Sequence, residues 1–146
     1  MSSTATLTIL RALDRAASLL RGGGNGRAEH LETGARGEEL AYFHLRNLGY
    51  IMVARNWRTN RRRGEIDLVS WDQETLVFIE VKTRTAHDMA PAEIQVDTDK
   101  RYELRRMAKE YLLRLTSDPP IRFDVISVYL LSGNKPELEH FKNAFS

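Results

Sequence analysis

The sequence contains no cysteine, which excludes disulfide bonds, thiolate metal sites and cysteine nucleophiles. Its four histidines are scattered, and no two are spaced i, i+4, so the chain shows no zinc-type ligand pattern. No apolar run approaches the ~20 residues of a membrane-spanning helix. The formal net charge is only +2, so the total charge says little about partners and its distribution must be considered instead. These absences predict a cytoplasmic protein with no membrane partner.

With 146 residues, of which 42% are apolar and 29% charged, the chain has the size and composition of one globular domain. Residues 1–33 differ from the rest, because leucines recur there at helical spacing among arginines before the Gly-rich stretch "RGGGNGR". We predict a mobile N-terminal extension over 1–33 and a folded domain over 34–146. A targeting or docking helix is the alternative for the extension, since such segments are also basic and amphipathic.

From residue 34 onward, apolar residues recur at either helical or strand-like spacing. The first helix can end at Gly49, because glycine suits a C-terminal cap, and the second is apolar along one side. The predicted elements are a helix at 34–49, a strand at 50–57, two strands within 64–84, a helix at 97–115 and a strand at 121–131. This order predicts a mixed β-sheet covered by helices, in the α/β class.

The segment "GEIDLVSWDQETLVFIEVKTR", residues 64–84, reads as two apolar strands around a polar turn. Yet Asp67, Glu80 and Lys82 lie inside these strands, and charged side chains are seldom buried unless they are paired or functional. If residues 73–74 form the tight turn, Asp67 falls directly opposite Glu80. The hairpin therefore places two acids and a lysine together within its apolar strands.

The same register places Glu65 opposite Lys82 and Leu68 opposite Ile79, so charged residues meet charged residues and apolar residues meet apolar ones. Alternation of side chains puts Ile66 on the same face as Leu68. A shift by one residue would mix the two faces, which favours this register. The simpler alternative is a cross-strand charge pair on a solvated face, because opposite charges often pair in this way.

Two neighbouring carboxylates repel, and each raises the pKa of the other unless a cation lies between them. Mg²⁺ is bound by one or two carboxylates while it keeps several waters, and such an ion can assist the hydrolysis of a phosphodiester. Lys82 could orient the attacking water or neutralise charge that grows on the phosphate. Glu38, at the start of the first helix, adds a third acid. Asp67, Glu80 and Lys82 are thus candidates for a metal-dependent hydrolytic site.

Six motifs in order give the chain a strong resemblance to a known family. They are Gly37-Glu38, "ARNWR" (54–58), "GEIDLV" (64–69), "FIEVKTR" (78–84), "RFDVISV" (122–128) and "EHFKNAF" (139–145). Over residues 34–146 the sequence resembles the YraN family of small bacterial proteins. That family looks like a branch of the PD-(D/E)xK nuclease superfamily, close to the archaeal Holliday junction resolvases.

The resemblance implies a restriction endonuclease-like core of a helix, three antiparallel strands, a second helix and a returning strand. It identifies Asp67 and Glu80 as metal-binding acids, with the main-chain carbonyl of Val81 as a further ligand. Lys82 matches the catalytic lysine of the superfamily, and Glu38 matches a glutamate that reaches the site from the helix. The implied cofactor is Mg²⁺ or Mn²⁺.

Basic residues cluster on either side of the candidate site in the sequence. Five arginines and no acid lie in 55–63, and six basic residues lie with two acids in 100–114. Arginine suits phosphate because its fork makes paired hydrogen bonds, although a solvated helix face and a charged loop are the alternative. The residues predicted to contact nucleic acid are Arg58, Arg61, Arg62, Arg63 and Lys100. No base-reading motif is present, so we expect recognition of the backbone.

The expected function is a Mg²⁺-dependent endonuclease that hydrolyses phosphodiester bonds in DNA, with branched or repair structures as candidate substrates. The alternative is an accessory protein that binds nucleic acid and retains the nuclease fold without turnover. A third reading is a structural protein whose charged hairpin mediates oligomerisation. The related resolvases act as dimers, so a homodimer is one candidate for the oligomeric state of this protein.

Overall fold

A computed structural model describes residues 25–85 and 96–146 of the chain. The predicted extension lies mostly outside these residues, and the division into 1–33 and 34–146 stays a prediction. The chain separates into two compact units between Arg36 and Gly37. The second unit begins at Gly37 and therefore holds every predicted site residue, of which Glu38 is the first in the chain.

Within the described residues the chain forms two helices and five strands. In chain order they are α1 (Asn25–Asn47), β1 (Ile51–Thr59), β2 (Arg62–Asp72), β3 (Thr75–Arg84), α2 (Thr98–Leu112), β4 (Ile121–Tyr129) and β5 (Glu137–Phe145). The predicted order of helix, three strands, helix and strand is confirmed. The closing segment, for which we predicted no element, adds the fifth strand. Over the same residues, neither helix is long and apolar enough to cross a membrane.

The five strands form one sheet in the order β1-β2-β3-β4-β5. Strands β3 and β4 run parallel, and the other neighbouring pairs are antiparallel. A parallel pair needs a long crossover connection, and α2 lies within the one that joins β3 to β4. The mixed sheet and its two helices confirm the predicted α/β class.

The β2–β3 hairpin has the predicted register. Its turn is Gln73-Glu74, and the paired residues run from Asp72 with Thr75 to Leu68 with Ile79. Gln73 has a left-handed conformation, with φ of 55°. The next positions in this register are Asp67 and Glu80, so the predicted juxtaposition of the two acids lies where the hairpin pairing ends.

Helix α2 and helix α1 cover opposite faces of the sheet. Along β3, Phe78 enters one apolar cluster while Val77 and Ile79 enter the other, as alternation requires. The cluster under α2 buries Ile66, Val69, Leu76, Phe78, Val96, Leu104, Met107, Ala108, Phe123, Val125 and Phe145. The cluster under α1 buries Ala41, Leu45, Tyr50, Leu68, Val77, Ile79, Val81, Ile126 and Val128.

The prediction for Ile66 is wrong, because this residue packs in the cluster of Val69 instead of joining Leu68 on the opposite face. On the N-terminal side of Leu68, β2 remains paired with β1, where Trp57 is the partner of Ile66. It is no longer paired with β3 there. A strand released from one neighbour is free to twist more strongly. The change of face therefore coincides with the point at which β2 and β3 part.

The helix ends follow local chemistry. Helix α1 is already formed at Asn25, the first described residue, and therefore extends upstream of the predicted start at residue 34. Gly49 follows its last turn with a φ of 92°, as a C-terminal glycine often does. Helix α2 begins after Asp97, whose side chain accepts the backbone N–H of Lys100 at 2.8 Å. It ends at Leu112, three residues short of the predicted boundary.

A buried polar network fastens β5 to β4. Asp124, which is 0% exposed, accepts two hydrogen bonds from Arg122, at 2.8 and 2.9 Å. His140 Nε2 lies 2.8 Å from the same carboxylate, and the backbone N–H of Asn143 donates to it at 2.9 Å. Arg122 also bonds Asp72 at 2.9 Å. Burial opposes ionisation, but the bonds from His140 and Arg122 hold the pKa of Asp124 below its ordinary range.

Replacing Asp124 with asparagine should lower the free energy of unfolding by about 3–5 kcal/mol near neutral pH, because Arg122 loses the buried half of its ion pair. Because the folded-state pKa of Asp124 lies below its ordinary value, this stabilisation is complete above about pH 4 and is lost as the pH falls below that value through the folded-state pKa. Urea unfolding between pH 3 and pH 7 measures both effects. Asp72→Asn, at the more exposed end of Arg122, is the control and should cost about 1 kcal/mol or less. Equal losses in the two variants would contradict the assigned role of Asp124.

Candidate active site

Asp67 lies where β2 separates from β3. Its side chain is 7% exposed, and its Oδ2 accepts the backbone N–H of Val81 at 2.8 Å. The carboxylate thus satisfies a backbone donor of β3 just past the last paired residues of the hairpin. This hydrogen bond fixes the carboxylate of Asp67 beside Val81, the residue that follows Glu80 in β3.

Glu80 is 5% exposed and is held between two lysines. Lys82 Nζ lies 3.0 Å from its Oε1, and Lys100 Nζ lies 3.7 Å from its Oε2. Lys100 comes from the first turn of α2 and also bonds Glu103 at 3.2 Å. We predicted Lys100 only as a contact for nucleic acid, and the structure brings it to the same acid as Lys82. Glu80 Oε2 is buried and accepts no hydrogen bond.

Glu38 reaches the site from α1, as predicted. The helix approaches β3 closely at Gly37, where a Cβ atom would collide with the side chain of Thr83. A residue without a side chain is therefore required for this approach. Glu38 Oε2 accepts a hydrogen bond of 2.8 Å from the side-chain amide of Asn56 on β1, which orients the carboxylate.

Three acids form a group that we call the carboxylate triad: Glu38, Glu65 and Asp67. One carboxylate oxygen from each lies within 4.8 Å of the others, and Glu80 is not a member of this group. Glu65 also accepts a hydrogen bond of 2.7 Å from Arg58. The predicted Glu65–Lys82 pairing is wrong, because Glu65 bonds Arg58 and Lys82 bonds Glu80.

Two acids of the site, Asp67 and Glu38, resist ionisation. Burial raises the pKa of Asp67 to about 8, and the neighbouring carboxylate of Glu80 adds to this effect. Burial also raises the pKa of Glu38, against the hydrogen bond from Asn56. Burial opposes the charged form of Lys100, yet the carboxylates of Glu80 and Glu103 raise its pKa. The site therefore favours additional positive charge.

These residues fit a hard divalent cation. They offer only oxygen ligands, as Mg²⁺ and Mn²⁺ prefer, and burial beside other carboxylates disfavours the charged form of Asp67 unless a cation is bound. The unbonded Oε2 of Glu80 adds a buried acceptor that a metal could use. Val81 contributes its N–H to Asp67, and its carbonyl as a metal ligand stays a prediction.

The predicted arginines lie near α2 and the carboxylate triad. Arg61 and Arg62, at the turn between β1 and β2, form ion pairs of 4.0 and 3.6 Å with Glu110 of α2. Arg63 is exposed beside them. Arg58 bonds Glu65, so it neutralises a site carboxylate in this state. These arginines form a basic surface along the β1–β2 turn, and their contact with nucleic acid stays a prediction.

Three residues that contact the site were not in the predicted set. Glu65 precedes Asp67 by two positions, and this spacing could have identified it as a site acid had it not been assigned to Lys82. Asn56 has a left-handed backbone, with φ of 48°, which strand periodicity does not reveal. Glu103 follows Lys100 by three positions on α2, a spacing that allows their ion pair.

Comparison with known proteins identifies one family. The family model described as "Uncharacterised protein family UPF0102" matches residues 37–128. The chain is 53% identical to a UPF0102 protein of Koribacter versatilis over 117 residues, which cover 80% of this chain and 81% of the relative. It is 46% identical to a UPF0102 protein of Solibacter usitatus over 113 residues, covering 77% and 84% of the two chains. A UPF0102 protein of Geobacter sulfurreducens is 39% identical over 123 residues, covering 84% and 94%.

Asp67→Asn should gain stability relative to the wild type as the pH rises. Because the folded-state pKa of Asp67 lies above its ordinary value of 3.8, the neutral carboxyl stabilises the fold fully below about pH 4. That stabilisation is lost as the pH rises to about 8, and asparagine, which cannot ionise, retains it. We expect the difference to reach at least about 1.4 kcal/mol at pH 9, the equivalent of one pKa unit.

Urea unfolding in EDTA at pH 4 to pH 9 checks this result, since a bound cation would hide it. Asp124→Asn is a matched control, because it should be less stable than the wild type at neutral pH. A difference between Asp67→Asn and the wild type that does not vary with pH would contradict the assigned environment.

Proposed function

The chain belongs to the uncharacterised protein family UPF0102, the YraN family of the restriction endonuclease-like superfamily, and from this premise we propose that it is a Mg²⁺-dependent endonuclease acting on DNA. The observation that carries the proposal is the meeting of Asp67, Glu80 and Lys82 at the point where β2 and β3 part. Glu38 reaches the same place from α1. A structural ion pair would need one acid for each base, whereas this site gathers more acids than its lysines neutralise.

The proposed roles of the site residues combine their contacts with the family resemblance. Asp67 and Glu80, with Glu38 and the carbonyl of Val81, would hold the cation. A bound Mg²⁺ supplies a Lewis acid for a phosphate oxygen and makes water a better nucleophile. Lys82, 3.0 Å from Glu80 and partly exposed, is placed to neutralise charge that develops on the phosphate.

The substrate is proposed to be DNA that is read through its backbone. The arginines of the β1–β2 turn suit phosphate, and the sequence has no base-reading motif. The protein would then distinguish DNA substrates by their shape, which favours branched DNA and repair intermediates as substrates. The cleft would take the backbone between the β1–β2 turn and the first turn of α2.

Substitution of site residues should separate metal binding from chemistry. Asp67→Ala should lose Mg²⁺ affinity and cleavage together, because it removes a central ligand. Lys82→Ala should bind Mg²⁺ at least as well as the wild type, since a positive charge near the ion is lost, yet cleave roughly 10²–10³-fold more slowly. Calorimetric Mg²⁺ titration and cleavage of linear, flapped and four-way DNA with Mg²⁺ or Mn²⁺ measure these effects.

Glu74→Ala, in the exposed turn of the same hairpin, is the control and should behave like the wild type. If the wild type binds Mg²⁺ but cleaves none of these DNAs, and Lys82→Ala is indistinguishable from it, the protein is an accessory factor and not a nuclease. Cleavage that survives Asp67→Ala would contradict the assigned site.

Replacing Arg61, Arg62 and Arg63 together with alanine should weaken DNA binding for all sequences. Each lost phosphate contact should reduce the slope of log affinity against log salt by about 0.9 on duplex DNA. Fluorescence anisotropy over a range of salt concentrations, in EDTA to prevent cleavage, measures the slope. Lys135→Ala, in the turn between β4 and β5, should leave it unchanged. An unchanged slope in the triple variant would show that these arginines are only a solvated turn.

A further inference from the structure

Arg84, the last residue of β3, is a buried cation that no acid among the described residues neutralises. Its side chain is 3% exposed, and its one hydrogen bond runs from Nε to Ser127 Oγ at 3.3 Å. Its Nη2 is buried and has no hydrogen-bond partner. Among residues 25–85 and 96–146, no aspartate or glutamate forms an ion pair with it.

Such an arrangement is costly for a folded protein. An arginine stays protonated at any accessible pH, so Arg84 cannot escape the cost by losing its charge. Arg122, by contrast, is neutralised by Asp124 and Asp72. A buried and unpaired charge strongly destabilises the folded state, and a serine hydroxyl does not compensate it. The fold thus keeps a strong anion-binding group without an internal anion.

The position of Arg84 relates it to the candidate active site. Alternation along β3 puts it on the same face as Glu80 and Lys82. Ser127, which Arg84 reaches, is the strand partner of Lys82, so the side chain of Arg84 extends back along the sheet toward that lysine. Lys82 is 31% exposed, and an anion that enters from solvent at Lys82 would come next to Arg84.

We propose that Lys82 and Arg84 form a subsite for one phosphate of a nucleic-acid backbone, with Lys82 at its entrance and Arg84 as its buried anchor. The identity of the ligand rests on the proposed nuclease function. A guanidinium suits this role because its fork can make paired hydrogen bonds to phosphate oxygens. Cation binding by Asp67 and Glu80 and phosphate binding by Lys82 and Arg84 then fall to different residues.

The test measures binding of a short single-stranded DNA oligonucleotide in EDTA, by fluorescence anisotropy at low and high salt. Arg84→Met should weaken binding roughly tenfold or more, as the loss of a charged hydrogen bond does. The loss should persist at high salt, because a buried charge is screened little. Arg84→Lys should bind with intermediate affinity. Arg46→Met, an exposed arginine of α1, is the control and should have little effect at high salt.

Stability and inorganic phosphate supply independent readouts. The unfolding temperature of Arg84→Met should equal or exceed that of the wild type, because an apolar side chain replaces an unpaired buried charge. Inorganic phosphate should raise the unfolding temperature of the wild type but not that of Arg84→Met. Conversely, a variant that unfolds much more easily, or does not fold, would show that Arg84 is structural and would overturn the subsite.

Two further results would also overturn the subsite. The first is DNA binding that is equal in the wild type and Arg84→Met. The second is phosphate binding through Arg84 without any effect on DNA binding, which would indicate a site for free phosphate.

The nuclease proposal is tested separately. If DNA binding depends on Arg84 but the wild type cleaves nothing with Mg²⁺, the subsite stands and the nuclease proposal fails. If the wild type cleaves DNA and Arg84→Met binds and cleaves it equally well, only the subsite fails.

Discussion

The hydrogen bond from the backbone N–H of Val81 to the carboxylate of Asp67 holds the candidate site together. It satisfies a donor of β3 where the pairing of β2 and β3 ends, so the strands can part without leaving that group unbonded. The gap admits a carboxylate from α1 on one side and a lysine from α2 on the other. Because the bond also keeps Asp67 buried next to Glu80, it maintains the raised pKa of this acid.

Three buried charged groups show how partners decide the consequence of burial. Asp124 accepts hydrogen bonds from Arg122 and from the backbone N–H of Asn143, and His140 Nε2 lies within hydrogen-bonding distance of it. It therefore stabilises the fold as a carboxylate. Asp67 has one backbone donor and acidic neighbours, so it favours its neutral form without a cation. Arg84 has only a hydroxyl and cannot neutralise itself. Charge that is compensated internally belongs to stability, whereas uncompensated charge in the same sheet marks places where a ligand is expected.

The sequence was sufficient to predict the sheet class and the hairpin register, because the alternation of apolar and charged residues is a local pattern. It also brought Asp67, Glu80 and Lys82 together, since one hairpin contains all three. It did not predict that Ile66 changes face or that Glu65 bonds Arg58, because these depend on how β2 twists after leaving β3. The contact of Lys100 with Glu80 depends on the placement of α2 over the sheet, and the burial of Arg84 depends on tertiary packing. Neither has a signature in residue spacing.

Strand β1 is an edge of the sheet formed by the described residues, and it is irregular. Its pairing with β2 shifts between Met52 and Ala54 and again between Trp57 and Thr59, and Asn56 between these shifts has a left-handed backbone. A long, regular edge strand is a template on which another chain can add, and bulges and charged side chains are known to prevent this. The irregular stretch that contains Asn56, whose amide bonds Glu38, is therefore expected also to disfavour the addition of another chain at this edge.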